Sequence, residues 1–281
     1  MLDQIVEERG IQSFLNIDES AIFFEMANDT TLDIQGKSVT GIFSTGANKQ
    51  RCTLLMSIIT NDQTSTFAPP VIILKNTSAS TDGRVFSPPE NPKGEFKELI
   101  KQIRALTNQK DLLILENKSG WNNSFLMKEH IIPFLASSID SRSRESMLLF
   151  LDNCRCHTEE SVYTRLSEEF NVLYFPPDCT ALLQPVDVAV AKSLKASIKK
   201  KFLNHVTKNF QEIVTPKGRR KKTFKNPSKY EVIEWVMEGY KTLKKETIRS
   251  GFVEAGLTGD QKEERRNYLL EKKNQKVLYR Q

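Results

Sequence analysis

Cysteine is scarce. The four in this 281-residue chain, Cys52, Cys154, Cys156 and Cys179, form no disulfide-like framework, which points to a reducing compartment. No apolar run approaches membrane-spanning length and the opening stretch MLDQIVEERG has no apolar core, so neither insertion nor secretion is indicated. The sequence has no G-x-x-x-x-G-K-[ST] loop and no dinucleotide fingerprint, which leaves nucleotide hydrolysis without support. Internal repeats and low-complexity tracts are also missing. Cys154-Arg-Cys156-His157 brings two thiols and an imidazole close together, but structural zinc sites prefer C-x₂₋₄-C pairs with a second pair elsewhere. Cys52 and Cys179 are left, too far apart in sequence to form a second such pair, so zinc is not expected there.

What remains is ordinary globular composition, 38% hydrophobic and 27% charged, in a chain long enough for one large domain or two small ones. The net charge of +6 is unevenly spread: Lys192 to Lys225 holds twelve Lys or Arg residues against one acid, Glu212. A concentrated basic stretch suits a polyphosphate partner, because neutralising phosphates releases condensed counterions.

Periodicity reads as alternating strands and helices. SFLNID, CTLLMSIIT, PPVIILK, DLLILEN, MLLFLD and VLYFP are strand-like runs, with a hairpin-type turn at Asn61-Asp62. EFKELIKQIRAL, NSFLMKEHIIPFLASSI and TEESVYTRLSEEF have helical spacing, the second with Asn122, Asn123 or Ser124 as N-cap. A long helix is expected from about Pro185 through VAVAKSLKASIKKKFLNHV, then a basic flexible loop over 210–227. YEVIEWVMEGYKTLKKETI follows as one helix, Gly251 and Gly256 mark a turn, and the charged end is helix or tail. Trp121 reads as core. This order gives an α/β protein with a mixed sheet, whose sites form beyond the strand ends.

Three aspartates follow strand-like apolar runs or begin the long helix: Asp18 in FLNIDES, Asp152 in MLLFLDNCRCH and Asp187 in LLQPVDVAVAKSLK. Converging carboxylates are hard oxygen ligands suited to Mg²⁺ or Mn²⁺, and two such ions can activate the attacking oxygen and stabilise the leaving one in phosphoryl displacement. Glu19 follows Asp18 and, on a strand, points to the opposite face, which makes it a poor metal ligand.

These segments resemble the DDE superfamily endonuclease domain of pogo-like transposases, the group that includes Tigger and jerky elements and centromere protein B. The resemblance runs through Asn16, Asp18 and Glu19, then Asp152, Asn153 and His157, then Pro176, Pro177, Thr180, Gln184, Pro185 and Asp187. Between Asp152 and Asp187 lie 34 residues, a spacing similar to that of mariner-related enzymes. Weaker likenesses occur at Lys49-Gln-Arg-Cys-Thr, Ala68-Pro-Pro-Val-Ile-Ile, Glu116-Asn-Lys-Ser-Gly-Trp and Glu246 to Leu257, so the resemblance covers nearly the whole chain. The chain departs at Cys156, where the family usually has a small residue, and at Asp178, Cys179 and Val188, none of which is an expected metal ligand.

The resemblance implies an RNase H-like fold over 1–209, with a mixed central β-sheet flanked by helices, and a C-terminal helical extension over 228–281. It also implies that Asp18, Asp152 and Asp187 are catalytic and hold two Mg²⁺ or Mn²⁺ ions, with DNA as partner, no membrane and a nuclear location. His157, Lys199, Lys200, Lys217, Arg219, Arg220, Lys221 and Lys222 are the candidate DNA contacts, and a homo-oligomer in a transposition complex is a further expectation. The chain starts too close to Asp18 to include the upstream helix-turn-helix modules of pogo-like proteins, so a fragment or a truncated copy is expected. The alternative reading is a domesticated nuclear DNA-binding protein without cleavage activity.

Overall fold

The computed structural model describes residues 2–26, 50–61, 63–214 and 220–278. Its strands are β1 (Ser13–Phe23), β2 (Arg51–Asn61), β3 (Ser65–Phe67), β4 (Val71–Lys75), β5 (Arg84–Val85), β6 (Leu113–Asn117), β7 (Met147–Leu151) and β8 (Asn171–Tyr174). They form one sheet in the order β5-β6-β4-β2-β1-β7-β8, with β3 paired to β2. The pairs β1–β2, β2–β3, β2–β4 and β5–β6 are antiparallel, whereas β4–β6, β1–β7 and β7–β8 are parallel. The sheet is therefore mixed, as expected. β7 carries an unbroken apolar run because it is covered on both faces, the usual signature of a strand inside a parallel set.

Alternation along the strands divides the core in two. Leu15 and Ile17 of β1, Leu55 of β2 and Val71 and Ile73 of β4 pack beneath the helical segments of 124–138 and Glu160–Ser167. Ile22, Leu54, Met56, Ile72 and Leu74 face the other way, against helices Ala191–Asn209, Lys229–Thr242 and Lys245–Glu254. The helices after residue 228 thus close one face of the same core as the sheet; Trp235, Val236, Ile248 and Phe252 are buried in it.

Several local expectations change. β1 does not stop at Asp18 but continues to Phe23, because its partner β2 is equally long and pairs with it over the whole length. Helical structure over 124–138 includes a π-helical turn, Met127–Ile131, just before Pro133, whose missing N–H breaks the regular ladder. Gly251 lies inside helix Lys245–Glu254 instead of in a turn, and this helix is separate from Lys229–Thr242.

The segment expected to be a basic loop over 210–227 contains an antiparallel ribbon, β9 (Phe210–Val214) with β10 (Arg220–Phe224). Its base is fixed because Phe224 is buried edge-on against Phe202 of the preceding helix. At the β2–β3 turn Asn61 Oδ1 accepts from the N–H groups of Gln63 and Thr64 at 2.9 and 2.7 Å, while Asp62 lies outside the described residues. Among the described residues no helix is long and apolar enough to cross a membrane.

Candidate active site

β1 and β7 are adjacent and parallel, with Asn16 level with Phe150. Carrying that register on by two residues sets Asp152, one residue past β7, beside Asp18. Asp187 comes from the π-helical turn Val186–Val190, which opens the long helix. Two interactions through one side chain set this turn on the sheet. Asn16, fully buried, accepts at Oδ1 from the Val186 N–H at 3.0 Å and donates through Nδ2 to the Phe150 carbonyl at 3.2 Å. A helix start leaves N–H groups without intrahelical partners, and Asn16 supplies one from across the fold.

The result is a cluster of acids facing the C-terminal helices. Asp18, 6% exposed, is pushed up to about 8, first by burial and then by the charge of Asp187 and a proton shared with it, Asp152 adding a smaller charge effect. No hydrogen-bond donor reaches its Oδ2. Asp152 sits differently. Burial works to raise it, but the hydrogen bond and charge of His157 and the Cys154 N–H outweigh this and keep it below the ordinary carboxylate range. His157 Nδ1 lies 2.7 Å from Asp152 Oδ1, and the Cys154 N–H donates to the same oxygen at 3.1 Å.

Glu19 does point to the opposite face of β1. There its Oε1 accepts from Asn122 Nδ2 at 2.6 Å and lies 3.3 Å from His157 Nε2, without the alignment of a hydrogen bond. Burial works to lower the His157 imidazole, but Asp152, Cys156 and Glu19 together hold it well above its ordinary range. His157 is 2% exposed and engaged with Asp152, which anchors the loop after β7.

Of the basic candidates, Lys200 is exposed and Lys199 half-buried on helix Ala191–Asn209. Arg220, Lys221 and Lys222 belong to β10, while Lys217 and Arg219 lie outside the described residues. Trp121 is not core: it is 45% exposed, with the Arg51 guanidinium 3.8 Å from its ring centre. Asn16 and Asn122 were missed as site residues. For Asn16 the clue was available, because two positions before Asp18 on a strand is the same face. Asn122 offered none, since nothing local brings it to Glu19.

A mixed sheet covered by helices, with three carboxylates brought together from β1, the end of β7 and the first turn of a long helix, defines an RNase H-like protein with an acidic site. The family model described as DDE superfamily endonuclease matches residues 49–252, and the chain belongs to that family. The match includes Asp152 and Asp187; Asp18 precedes it. The chain is 24% identical over 250 residues to the mouse and human proteins called pogo transposable element with KRAB domain, covering 89% of this chain and 36% of each relative. It thus spans about a third of the length of those relatives. Among solved structures it is similar to the Mos1 transposase paired-end complex with left transposon end, at 14% identity and a TM-score of 0.44, over 95% of this chain and 58% of that one.

Proposed function

We propose that this chain is the catalytic domain of a transposase that cuts DNA and transfers the cut strand, using Asp18, Asp152 and Asp187. The observation that carries this reading is the convergence of the three carboxylates, with Asp18 held to about 8 by burial and its acidic neighbours. An apolar or hydrogen-bonded role would not gather acids at mutual cost. The donors are all hard oxygens, and the buried Asp18 Oδ2 has no donor of its own, so the residues fit divalent Mg²⁺ or Mn²⁺, two ions being proposed. When bound, such ions polarise a phosphodiester and stabilise the attacking and leaving oxygens.

The chain's own residues prepare that chemistry. Asn16 holds Val186, and with it the turn that presents Asp187, against β1. His157 and the Cys154 N–H hold Asp152 Oδ1, which fixes its carboxylate orientation. Lys199, Lys200 and the ribbon residues Arg220, Lys221 and Lys222, with Lys217 and Arg219, supply positive charge for the DNA backbone. Such contacts position DNA without reading its sequence. DNA as partner implies a nuclear location, and assembly of a homo-oligomer on paired DNA ends belongs to the same proposal.

The test is nicking of supercoiled plasmid by this chain in Mg²⁺ or Mn²⁺. Asp152→Asn should lower nicking by orders of magnitude and leave DNA binding intact or tighter. Alanine at the seven named Lys and Arg positions should flatten the salt dependence of binding by roughly 0.9 in log–log slope for each phosphate that is no longer neutralised. Absence of metal-dependent nicking in the unaltered protein, with Asp152→Asn identical to it in every assay, would establish a binding protein instead.

A further inference from the structure

On the face of β1 opposite the aspartates lies a second group of ligand-type atoms. A carboxylate oxygen of Glu19, Cys156 Sγ and a ring nitrogen of His157 lie within 4.8 Å of one another, with Glu19 Oε1 and His157 Nε2 3.3 Å apart. Nε2 is buried, on a side chain only 3% exposed, and has no hydrogen-bond partner. Cys154 Sγ is 3.1 Å from Cys156 Sγ, and both thiols are free. The Asn122 amide stands among these atoms, donating to Glu19 at 2.6 Å and approaching Cys156 Sγ at 3.9 Å. The neutral Asn122 amide thus supplies its N–H to the same donors that a cation would engage.

We infer that Glu19, Cys156 and His157, completed by Cys154, form a Zn²⁺ site distinct from the three-aspartate cluster. The donor set is two thiols, an imidazole and a carboxylate, which suits a borderline-soft ion and not Mg²⁺. The spacing suits it too. Zinc bonds of ~2.0–2.1 Å to nitrogen and oxygen in a tetrahedron hold those atoms roughly 3.3 Å apart, and Nε2 and Oε1 are 3.3 Å apart. Cys154, exposed at the N-terminal edge of the short helix Arg155–Thr158 with its Sγ 3.1 Å from Cys156 Sγ, is the neighbour that would complete the set.

His157 is also oriented as a zinc-binding imidazole should be. Its other nitrogen, Nδ1, meets the Asp152 carboxylate at 2.7 Å, and an imidazole that ligates through one nitrogen while donating from the other to a carboxylate is held in tautomer and orientation. Zinc here would thus pin the loop that carries Asp152. The binding itself does not depend on the nuclease reading, since it can be measured with no DNA present.

The experiment is Co²⁺ and Zn²⁺ titration of the reduced whole chain in excess Mg²⁺, which occupies hard oxygen sites. One equivalent of Co²⁺ should give tetrahedral d–d bands and a thiolate charge-transfer band, both bleached by one equivalent of Zn²⁺. Cys156→Ser should reduce the intensity of the charge-transfer band, and changing Cys154 to Ser as well should abolish it. Cys154→Ser should reduce its intensity, and Glu19→Gln should weaken Zn²⁺ at least tenfold in a chelator competition. An absent charge-transfer band, or one unchanged in Cys156→Ser, overturns the site, as does Zn²⁺ affinity unchanged by Glu19→Gln. Binding lost only when Asp187 is changed to Asn would assign the ion to the aspartates and overturn it equally.

Discussion

Replacing Asn16 by alanine tests how the acidic site is held together. The side chain is fully buried and makes two hydrogen bonds that join three elements: β1, the end of β7 through Phe150, and the turn that begins at Val186. Its removal leaves the Val186 N–H without that partner in apolar surroundings, a cost of about 1–3 kcal/mol. Loss of the bond to the Phe150 carbonyl adds about 1 kcal/mol. Asn16→Ala should therefore lower unfolding free energy by about 3 kcal/mol, read in urea as a reduced midpoint with unchanged slope. Because Asp187 follows Val186 by one residue, nicking per folded molecule should also fall, measured where the variant is still fully native. A midpoint shift worth less than about 1 kcal/mol, or nicking that tracks the folded fraction alone, would refute the view that Asn16 holds the turn.

Two further predictions concern packing and pH. A Cβ at Gly251 would lie 2.7 Å from the Pro185 carbonyl oxygen and 3.3 Å from Ala189 Cβ, so Gly251→Ala should cost about 1–3 kcal/mol and depress nicking more than DNA binding by shifting the turn that carries Asp187. Circular dichroism melts and plasmid nicking measured together check this; wild-type behaviour in both would show that helix Lys245–Glu254 does not buttress the turn. Asp3 is lowered to about 2 by hydrogen bonds from Arg266 and Lys262, which tie helix Leu2–Glu8 to helix Lys262–Leu278. Its folded value is depressed, so the stabilisation is full above the ordinary carboxylate range near 4 and is lost as pH falls towards 2. The side chain is 42% exposed, so solvent screening limits the effect to about 1 kcal/mol or less. The stability gap between wild type and Asp3→Asn should accordingly shrink between pH 4 and pH 2.5 in urea titrations; a gap that is constant over that interval would remove the ion pairs as its source.

Much of this was legible from residues alone. The runs SFLNID and CTLLMSIIT read as strands, the unbroken apolar run MLLFL as a buried strand, and the order of elements as a mixed sheet. Where reading failed, a long-range partner decided. β1 runs past Asp18 because β2 pairs with it to Phe23, which no local pattern in ESAIF announces. Gly251 looks like punctuation but is helical, since the missing side chain makes room for Pro185 from a distant segment. The basic segment 210–227 reads as loop by composition, yet Phe210 and Phe224 pair at the base of a ribbon. Trp121 was misjudged for the opposite reason: apolar character suggests burial, but Arg51 covers its ring at the surface instead.

The adjacent acids Asp18 and Glu19 carry the last step. On a helix they would share a neighbourhood, but on β1 they enter opposite layers, and the two layers treat a carboxylate in different ways. On Asp18's side the neighbours Asp187 and Asp152 are themselves acids, so the charge there stays uncompensated and Asp18 holds its proton to about 8. On Glu19's side Asn122 donates and the His157 imidazole lies at 3.3 Å, so its charge is already answered. Hard, uncompensated oxygens lie on one face of the strand and sulfur with imidazole on the other, donor sets suited to different classes of cation. His157 is the contact between the two, with one nitrogen towards Asp152 and the other towards Glu19. A change at Cys156 or Glu19 should therefore reach the aspartates through the orientation of one ring, without altering any acid that belongs to them.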